Sequence, residues 1–421
     1  MKILWVKTAP LHPLTRGGDL RTYHLLRNLC KTAHVTFATM AADPRQVEAL
    51  KLAHEYSHEH DSVSEPKASF HLSKPNFCAH AARNLLSSLP FAVERFTSEK
   101  LKALLRRHLQ YTEFDLLLCD FLFPAASLPW DLKVGSAIPW LLFQHNVESA
   151  IWQRRASTAT GISGPYIRNQ CHRMETFERN YSSKFDGVLT VSEDDTRVFR
   201  DAFGLTNVLG HIPTGVDVDY FVATPRVESD TPTAVFVGSM DWHANIDAVT
   251  FFAAECWPTI RRRFPGARFR IVGRNPSQEV SDLATPGNGI EVTGTVSDVR
   301  PYLRSAHAMI VPLRIGGGTR LKIFESMAAE LPVVSTRIGA EGLPVTDRNH
   351  LLLADDADTF ADATIEMLES AELRDSIRNA AFNEVAQKFS WSRAADQMHA
   401  FFVQAIAEFS SSQKIPAHHQ S

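Results

Sequence analysis

Short apolar runs alternate with stretches of helical spacing from one end of the chain to the other, a pattern that predicts parallel sheets covered by helices. In the first half the strand candidates are residues 2–6, 34–40, 115–119, 140–144 and 187–191. A second series begins near His211, with candidates at 234–237, 268–272, 290–292, 308–311, 333–335 and 350–353. Helices are expected between them over 245–264, 299–306, 320–329 and 357–370. Between the second and third strands lies a long polar stretch, from Ala42 to Gln110. Part of it is amphipathic: Leu101, Leu104, Leu105 and Leu109 share one helical face, among Arg95, Lys100, Lys102, Arg106 and Arg107. That pattern suits a surface helix, and also contact with anionic lipid headgroups.

The two series meet at Ile212-Pro-Thr-Gly-Val-Asp217, where a boundary is expected. The reading gives an N-terminal domain over 1–210, a second over 211–389, and a closing helix with a polar tail over 390–421. The closing helix carries Trp391, Met398, Phe401 and Phe402 and needs an apolar surface to cover. Residues 410–421 are expected to be disordered. The fold class is α/β, with two doubly wound parallel-sheet domains facing a central cleft. Ligands of such sheets bind outside the carboxyl ends of the strands.

Composition narrows the function. A chain of 421 residues suits two domains. The formal net charge of −3 asks for no nucleic-acid partner. Five cysteines (Cys30, Cys78, Cys119, Cys171, Cys256) are scattered and form no Cys-x-x-Cys, which fits reduced thiols better than disulfides or structural zinc. The opening residues Met1–Lys7 predict no signal peptide, and no apolar run has the length of a membrane span. The expectation is a cytoplasmic protein, with peripheral contact at the inner face of a membrane as a further option.

The sharpest chemical pattern is Pro312-Leu-Arg-Ile-Gly-Gly-Gly-Thr-Arg-Leu-Lys-Ile-Phe-Glu325. An apolar strand runs into Gly316, Gly317 and Gly318, and a helix is expected to open at Thr319. Glycines let backbone amides approach a ligand, and a helix N-terminus favours an anion. Arg320 and Lys322 place cations where the helix dipole disfavours them, unless an anion such as a diphosphate joins them.

This segment resembles the donor-binding signature of retaining glycosyltransferases of family 4, which adopt the GT-B fold. Further pieces follow in the expected order along nearly the whole chain: Pro213-Thr-Gly-Val-Asp-Val-Asp-Tyr-Phe221, Phe236-Val-Gly-Ser-Met-Asp-Trp242 with Asn245, Ile271-Val-Gly-Arg-Asn-Pro276, Val292-Thr-Gly-Thr-Val296 and Gly339-Ala-Glu-Gly-Leu343. The resemblance implies that Arg320 and Lys322 hold the donor diphosphate and that Glu325 accepts from the ribose hydroxyls. It also implies that Gly238, Gly316, Gly317, Gly318 and Thr319 approach the donor, and that the backbone near Arg274 and Val296 lines the base pocket. In the first domain, Gly17 and Gly18 match the family's loop near the donor phosphates. His145, in Phe143-Gln-His-Asn-Val-Glu148, matches its cleft histidine. The implied activity is hexosyl transfer from a UDP- or GDP-sugar to a glycan, lipid-linked or small-molecule acceptor, with retention, no metal and no cofactor. Two positions depart from the pattern. Gly317 stands where many members carry a first glutamate, which leaves the transferred sugar open. Ser239 and His243 stand where Arg and Lys are common.

Other readings are a nucleotide-sugar epimerase on the same fold, a non-catalytic sugar-nucleotide-binding protein, and a zinc hydrolase built on His54-Glu-Tyr-Ser-His58. The last is disfavoured because that segment lacks an apolar helix around it. Asp217-Val-Asp219 imitates a metal-binding Asp-x-Asp, but it sits in the boundary motif, where the resemblance implies no metal.

Overall fold

The computed structural model describes residues 1–14, 16–66, 80–81, 83–159, 161, 163–227, 229–315 and 321–413. Two compact units result: Met1–Pro213 together with the chain from Ala394 onward, and Thr214–Arg393.

The first unit is built on strands β1 (Lys2–Val6), β2 (His34–Ala41), β3 (Glu59–Ser64), β4 (Leu116–Asp120), β5 (Trp140–Phe143), β6 (Gly187–Thr190) and β7 (Val208–His211). They pair in parallel in the order β3-β2-β1-β4-β5-β6-β7. Strands β4, β5 and β6 are buried along their whole length, as parallel strands covered on both faces must be. The strand order reverses between β1 and β4. There Val6 lies beside Cys119, so Asp120, the last residue of β4, and Lys7, just after β1, stand next to one another.

The helix Trp391–Gln413 closes this unit by burying Ala394, Ala395, Met398, Phe402 and Ala405. The Phe401 ring fills the space where Gly210 lacks a side chain, and Gln397 Nε2 donates to the His211 carbonyl at 3.0 Å. The polar composition predicts disorder from Ser410, yet the helix runs on to Gln413. Ser411 and Ser412 turn their hydroxyls back onto the carbonyls of Ala407 and Phe409, which satisfies both groups within the helix.

The second unit carries β8 (Thr233–Val237), β9 (Arg268–Val272), β10 (Ile290–Gly294), β11 (Ala308–Val311), β12 (Val333–Ser335) and β13 (Leu352–Leu353). The order β10-β9-β8-β11-β12-β13 is again parallel and reverses between β8 and β11. The helix expected over 245–264 forms in three pieces, His243–Phe251, a wide turn at Phe252–Cys256, and Trp257–Arg263. Pro258 opens the third piece, where its missing N–H breaks the ladder, and the wide turn before it absorbs the fault.

Among the described residues no helix is long and apolar enough to cross a membrane. The basic segment forms the helix Glu99–Tyr111, with Leu101, Leu104 and Leu105 buried. Three of its cations face acids: Lys102 lies 3.6 Å from Glu99, Arg106 2.7 Å from Asp131 and Arg107 2.5 Å from Asp61, while Lys100 donates to the Ser64 carbonyl.

Candidate active site

At the carboxyl ends of β1, β4 and β5 the first sheet assembles a buried polar cluster. Asp120 is fully buried, and its Oδ2 accepts from Trp5 Nε1 at 2.9 Å, Lys7 Nζ at 3.0 Å and Thr22 Oγ1 at 2.7 Å. Its Oδ1 lies 2.7 Å from His145 Nε2. Burial alone would raise the Asp120 carboxyl, but Lys7, His145 and the hydrogen bonds of His145 and Thr22 outweigh it and hold the pKa below the usual carboxylate range. For His145 burial wins over the attraction of Asp120, and its pKa falls to about 4, so the imidazole is neutral near pH 7. Its ring packs against Phe143 at 4.6 Å and Phe121 at 5.2 Å between centroids. Phe121 adopts a φ of 81°, uncommon for an aromatic residue, as the chain leaves β4. Gly18, in the first turn of the helix Gly17–Leu29, lies beside the ring: a Cβ there would stand 3.4 Å from His145 Nδ1.

Just beyond His145, a second buried group braces the loop. Glu178 accepts from Gln144 Nε2 at 3.2 Å and from the backbone N–H groups of Glu148 and Ser149 at 2.8 and 2.9 Å, at the start of the helix Glu148–Thr158. Burial first, and then the nearby Glu178, push Glu148 up to about 7 from an ordinary 4.5. Burial raises Glu178 to about 7 as well, against the pull of its hydrogen bonds; its three N–H donors favour it as the ionised partner, so the proton the pair shares belongs on Glu148. A raised carboxyl pKa means that the folded protein keeps a proton which the unfolded chain has already released. This contribution to stability is fully present below pH 4.5 and is lost as pH rises through about 7. The urea midpoint of the wild type should therefore fall across that window, and Glu148→Gln should flatten the fall. An identical pH dependence in both proteins would show that Glu148 carries no such proton.

The second sheet presents a different surface at its reversal point. Gly238 and Gly273 follow β8 and β9, and they approach so closely that a Cβ on Gly273 would stand 1.7 Å from the Gly238 carbonyl oxygen. Lys322, on the helix Leu321–Ala328, reaches this ledge. Its Nζ donates to Asn245 Oδ1 at 2.8 Å and lies 4.2 Å from the Phe236 ring centroid. A Cβ on Gly238 would stand 3.0 Å from that Nζ, so the absent side chain leaves room for the ammonium. Asn245 is fixed in turn by donating to the Ser239 carbonyl at 2.9 Å. Arg274 Nε donates to Ser239 Oγ at 2.8 Å, and Ser239 Oγ donates to Asp241 Oδ1 at 2.5 Å. Glu325, one turn beyond Lys322, is half-buried. Burial raises its pKa, against the pull of Lys322.

The candidates named from sequence thus form one group in each unit. Gly17, Gly18 and His145 gather at the first sheet, and Gly238, Arg274, Lys322 and Glu325 at the second, with half-buried Val296 just after β10. Gly316, Gly317, Gly318, Thr319 and Arg320 lie outside the described residues. Sequence reasoning misses Lys7, Thr22 and Asp120; the available signal is a charged residue set directly at the end of an otherwise apolar strand. His54 sits on the short turn Leu50–Glu55, while His58 accepts from the Val35 N–H and stacks on His34. Among the described residues no three metal-ligating side chains converge. Asp217 caps the short helix that follows it, accepting from the Tyr220 N–H.

Comparison with known proteins adds the following. The family described as Glycosyl transferases group 1 matches residues 231–370, inside the second unit. The phosphatidyl-myo-inositol mannosyltransferase of Mycolicibacterium smegmatis is 31% identical over 228 residues, which are 52% of this chain and 58% of that protein. The match thus spans little more than half of that relative. An uncharacterized glycosyltransferase of Methanocaldococcus jannaschii is 31% identical over 66% of this chain and 72% of its own length. Among solved structures, Anabaena HepE in complex with UDP superposes with a TM-score of 0.64 at 13% identity, over 96% of this chain and 100% of that one.

Proposed function

The chain belongs to the glycosyl transferases of group 1 and has the GT-B fold, and we propose that it moves a hexose from a UDP- or GDP-sugar to a hydroxyl of a glycan or lipid-linked acceptor. The observation that carries this reading is the fixed ammonium of Lys322 beside the Gly238 ledge, at the carboxyl edge of the second sheet. Backbone without side chains and a positioned cation together suit a diphosphate.

In this reading Lys322 and Arg320 stabilise the charge that develops on the departing diphosphate, aided by the amides of Gly316, Gly317, Gly318 and Thr319. Glu325 accepts from the ribose hydroxyls, and the base lies near Arg274 and Val296. Gly17 and Gly18 border the donor phosphates, and His145 contacts the sugar. The sugar C1–oxygen bond to the diphosphate breaks as the acceptor oxygen bonds C1 from the same face. Because both events share one face, configuration is retained, and the acceptor proton passes to a phosphate oxygen. No metal is required, because protein cations supply the charge. A lipid-linked acceptor is favoured by the name of the mycobacterial relative, and it would place the enzyme at the cytoplasmic face of a membrane.

Thermal shift tests the donor side. Either UDP or GDP should raise Tm with the logarithm of its concentration, by about 2.7 kcal/mol of stabilisation at a hundred times Kd. EDTA should leave the effect unchanged, and 2′-deoxy or 3′-deoxy analogues should be weaker. No stabilisation by any nucleoside diphosphate would overturn the reading. Conversion of a nucleotide sugar with no acceptor present would point to an epimerase instead.

A further inference from the structure

We propose that Asp120 is a positioning residue: it holds His145 as the neutral imidazole with its proton on Nε2, so that Nδ1 is offered as an acceptor to a substrate hydroxyl. The inference rests on the reading that His145 meets the substrate.

The argument starts from the two oxygens of Asp120. Oδ2 takes the Trp5 indole, the Lys7 ammonium and the Thr22 hydroxyl, all within 3.0 Å, which leaves it no further capacity. Lys7, itself buried, favours the ionised carboxylate. An ionised carboxylate has no proton to give. Only Nε2 can therefore supply the proton that the 2.7 Å approach of Nε2 to Oδ1 requires. Neither Asp120 nor His145 has water to turn to, since both are buried. Burial also opposes a second proton on the ring, which keeps the imidazole neutral. A neutral imidazole has one N–H, and Asp120 fixes it on the far side from Nδ1.

Nδ1 is left bare. Neither ring nitrogen meets a partner in full hydrogen-bond alignment among the described residues, but Nε2 has a carboxylate oxygen 2.7 Å away and buried Nδ1 has none. Among those residues, the one atom within 4 Å of a Cβ built on Gly18 is this same Nδ1, so the glycine keeps a side chain off it. Phe143 and Phe121 clamp the ring, so Nδ1 cannot swing toward another group of the chain. A buried acceptor without a donor is costly, and a sugar or acceptor hydroxyl is the group that completes it.

Replacing Asp120 with asparagine tests this directly. Trp5, Lys7 and Thr22 all donate, so they demand the amide oxygen at the Oδ2 position and turn the amide N–H₂ toward Nε2. Nε2 must then accept, the ring proton moves to Nδ1, and the acceptor is lost. NMR of nitrogen-labelled histidine, with the His145 signal identified by its loss in His145→Asn, should show the proton on Nε2 in the wild type and on Nδ1 in Asp120→Asn. In the same variant kcat should fall by roughly two orders of magnitude or more, with Kd for UDP or GDP (whichever binds) nearly unchanged. Gly18→Ala offers a route that leaves the ion pair intact. Its methyl would sit 3.4 Å from Nδ1, an ordinary contact, and should lower kcat by covering the nitrogen while Nε2 keeps its proton. A wild-type proton on Nδ1, no tautomer change in a folded Asp120→Asn, or full turnover in either variant overturns the proposal. If His145→Ala turns over normally, the reading beneath it fails. If His145→Ala is slow while Asp120→Asn is normal, only this inference fails.

Discussion

Lys322→Ala should lower kcat/KM by roughly 30- to several-thousand-fold, because truncating one partner of a buried charged contact costs about 2–5 kcal/mol and each decade of rate is about 1.4 kcal/mol. The ammonium is placed with care. Asn245 Oδ1 holds it at 2.8 Å, and the Phe236 ring lies beneath it. Gly238 omits the side chain that would crowd it. All this is spent on a cation in the first turn of the helix Leu321–Ala328, where the dipole disfavours positive charge. A diphosphate that gains negative charge as it departs reverses that cost, and the gain is largest in the transition state. Steady-state kinetics on the variant measure it, with circular dichroism to show that the fold is kept. Activity within about threefold of the wild type, well under one decade, would remove Lys322 from the clamp.

Most strands of both sheets and about half of the residues gathered at the candidate site are legible in the residue pattern, and what the pattern hides has a physical cause. Inner parallel strands such as β1, β4 and β5 are buried on both faces, so they appear as continuous apolar runs. The strands it does not show, β3 and β7, are the two edges of the first sheet. Edge strands need less apolar surface, and Glu59-His-Asp-Ser-Val-Ser64 reads as loop for that reason. The helix Ala371–Lys388 is equally hard to see: it buries only Ile377, Ala381 and Val385, a stripe one residue wide. In the site, Lys322, Glu325 and His145 stand in local patterns that sequence displays. Asp120 does not. Its partners Lys7 and Thr22 lie 113 and 98 residues away, and only the pairing of β1 with β4 brings them together.

Because that cluster is buried, Asp120→Ala should destabilise the first unit by about 3–5 kcal/mol, the usual result of stranding one charge of a buried pair. The Asp120 side chain is 0% exposed and that of Lys7 only 6%. Without the carboxylate, the ammonium keeps the Thr22 hydroxyl as a neutral partner, and the Trp5 indole loses its acceptor. Asp120→Asn should cost less, since an amide oxygen still accepts from all three donors. Replacing Lys7 with Met and Asp120 with Leu together should recover most of the loss, because neither charge of the pair is then left without the other. The effect also has a direction in pH. The folded carboxyl has a pKa below its ordinary 3.8, so its contribution is fully present above that value and is lost as pH falls through the folded one. The gap between wild type and Asp120→Ala should hold steady from about pH 8 to about pH 5 and close only in stronger acid. Urea unfolding across this range measures the gap. A difference under about 1 kcal/mol at neutral pH, the scale of an exposed ion pair, would mean that water reaches the pair in solution.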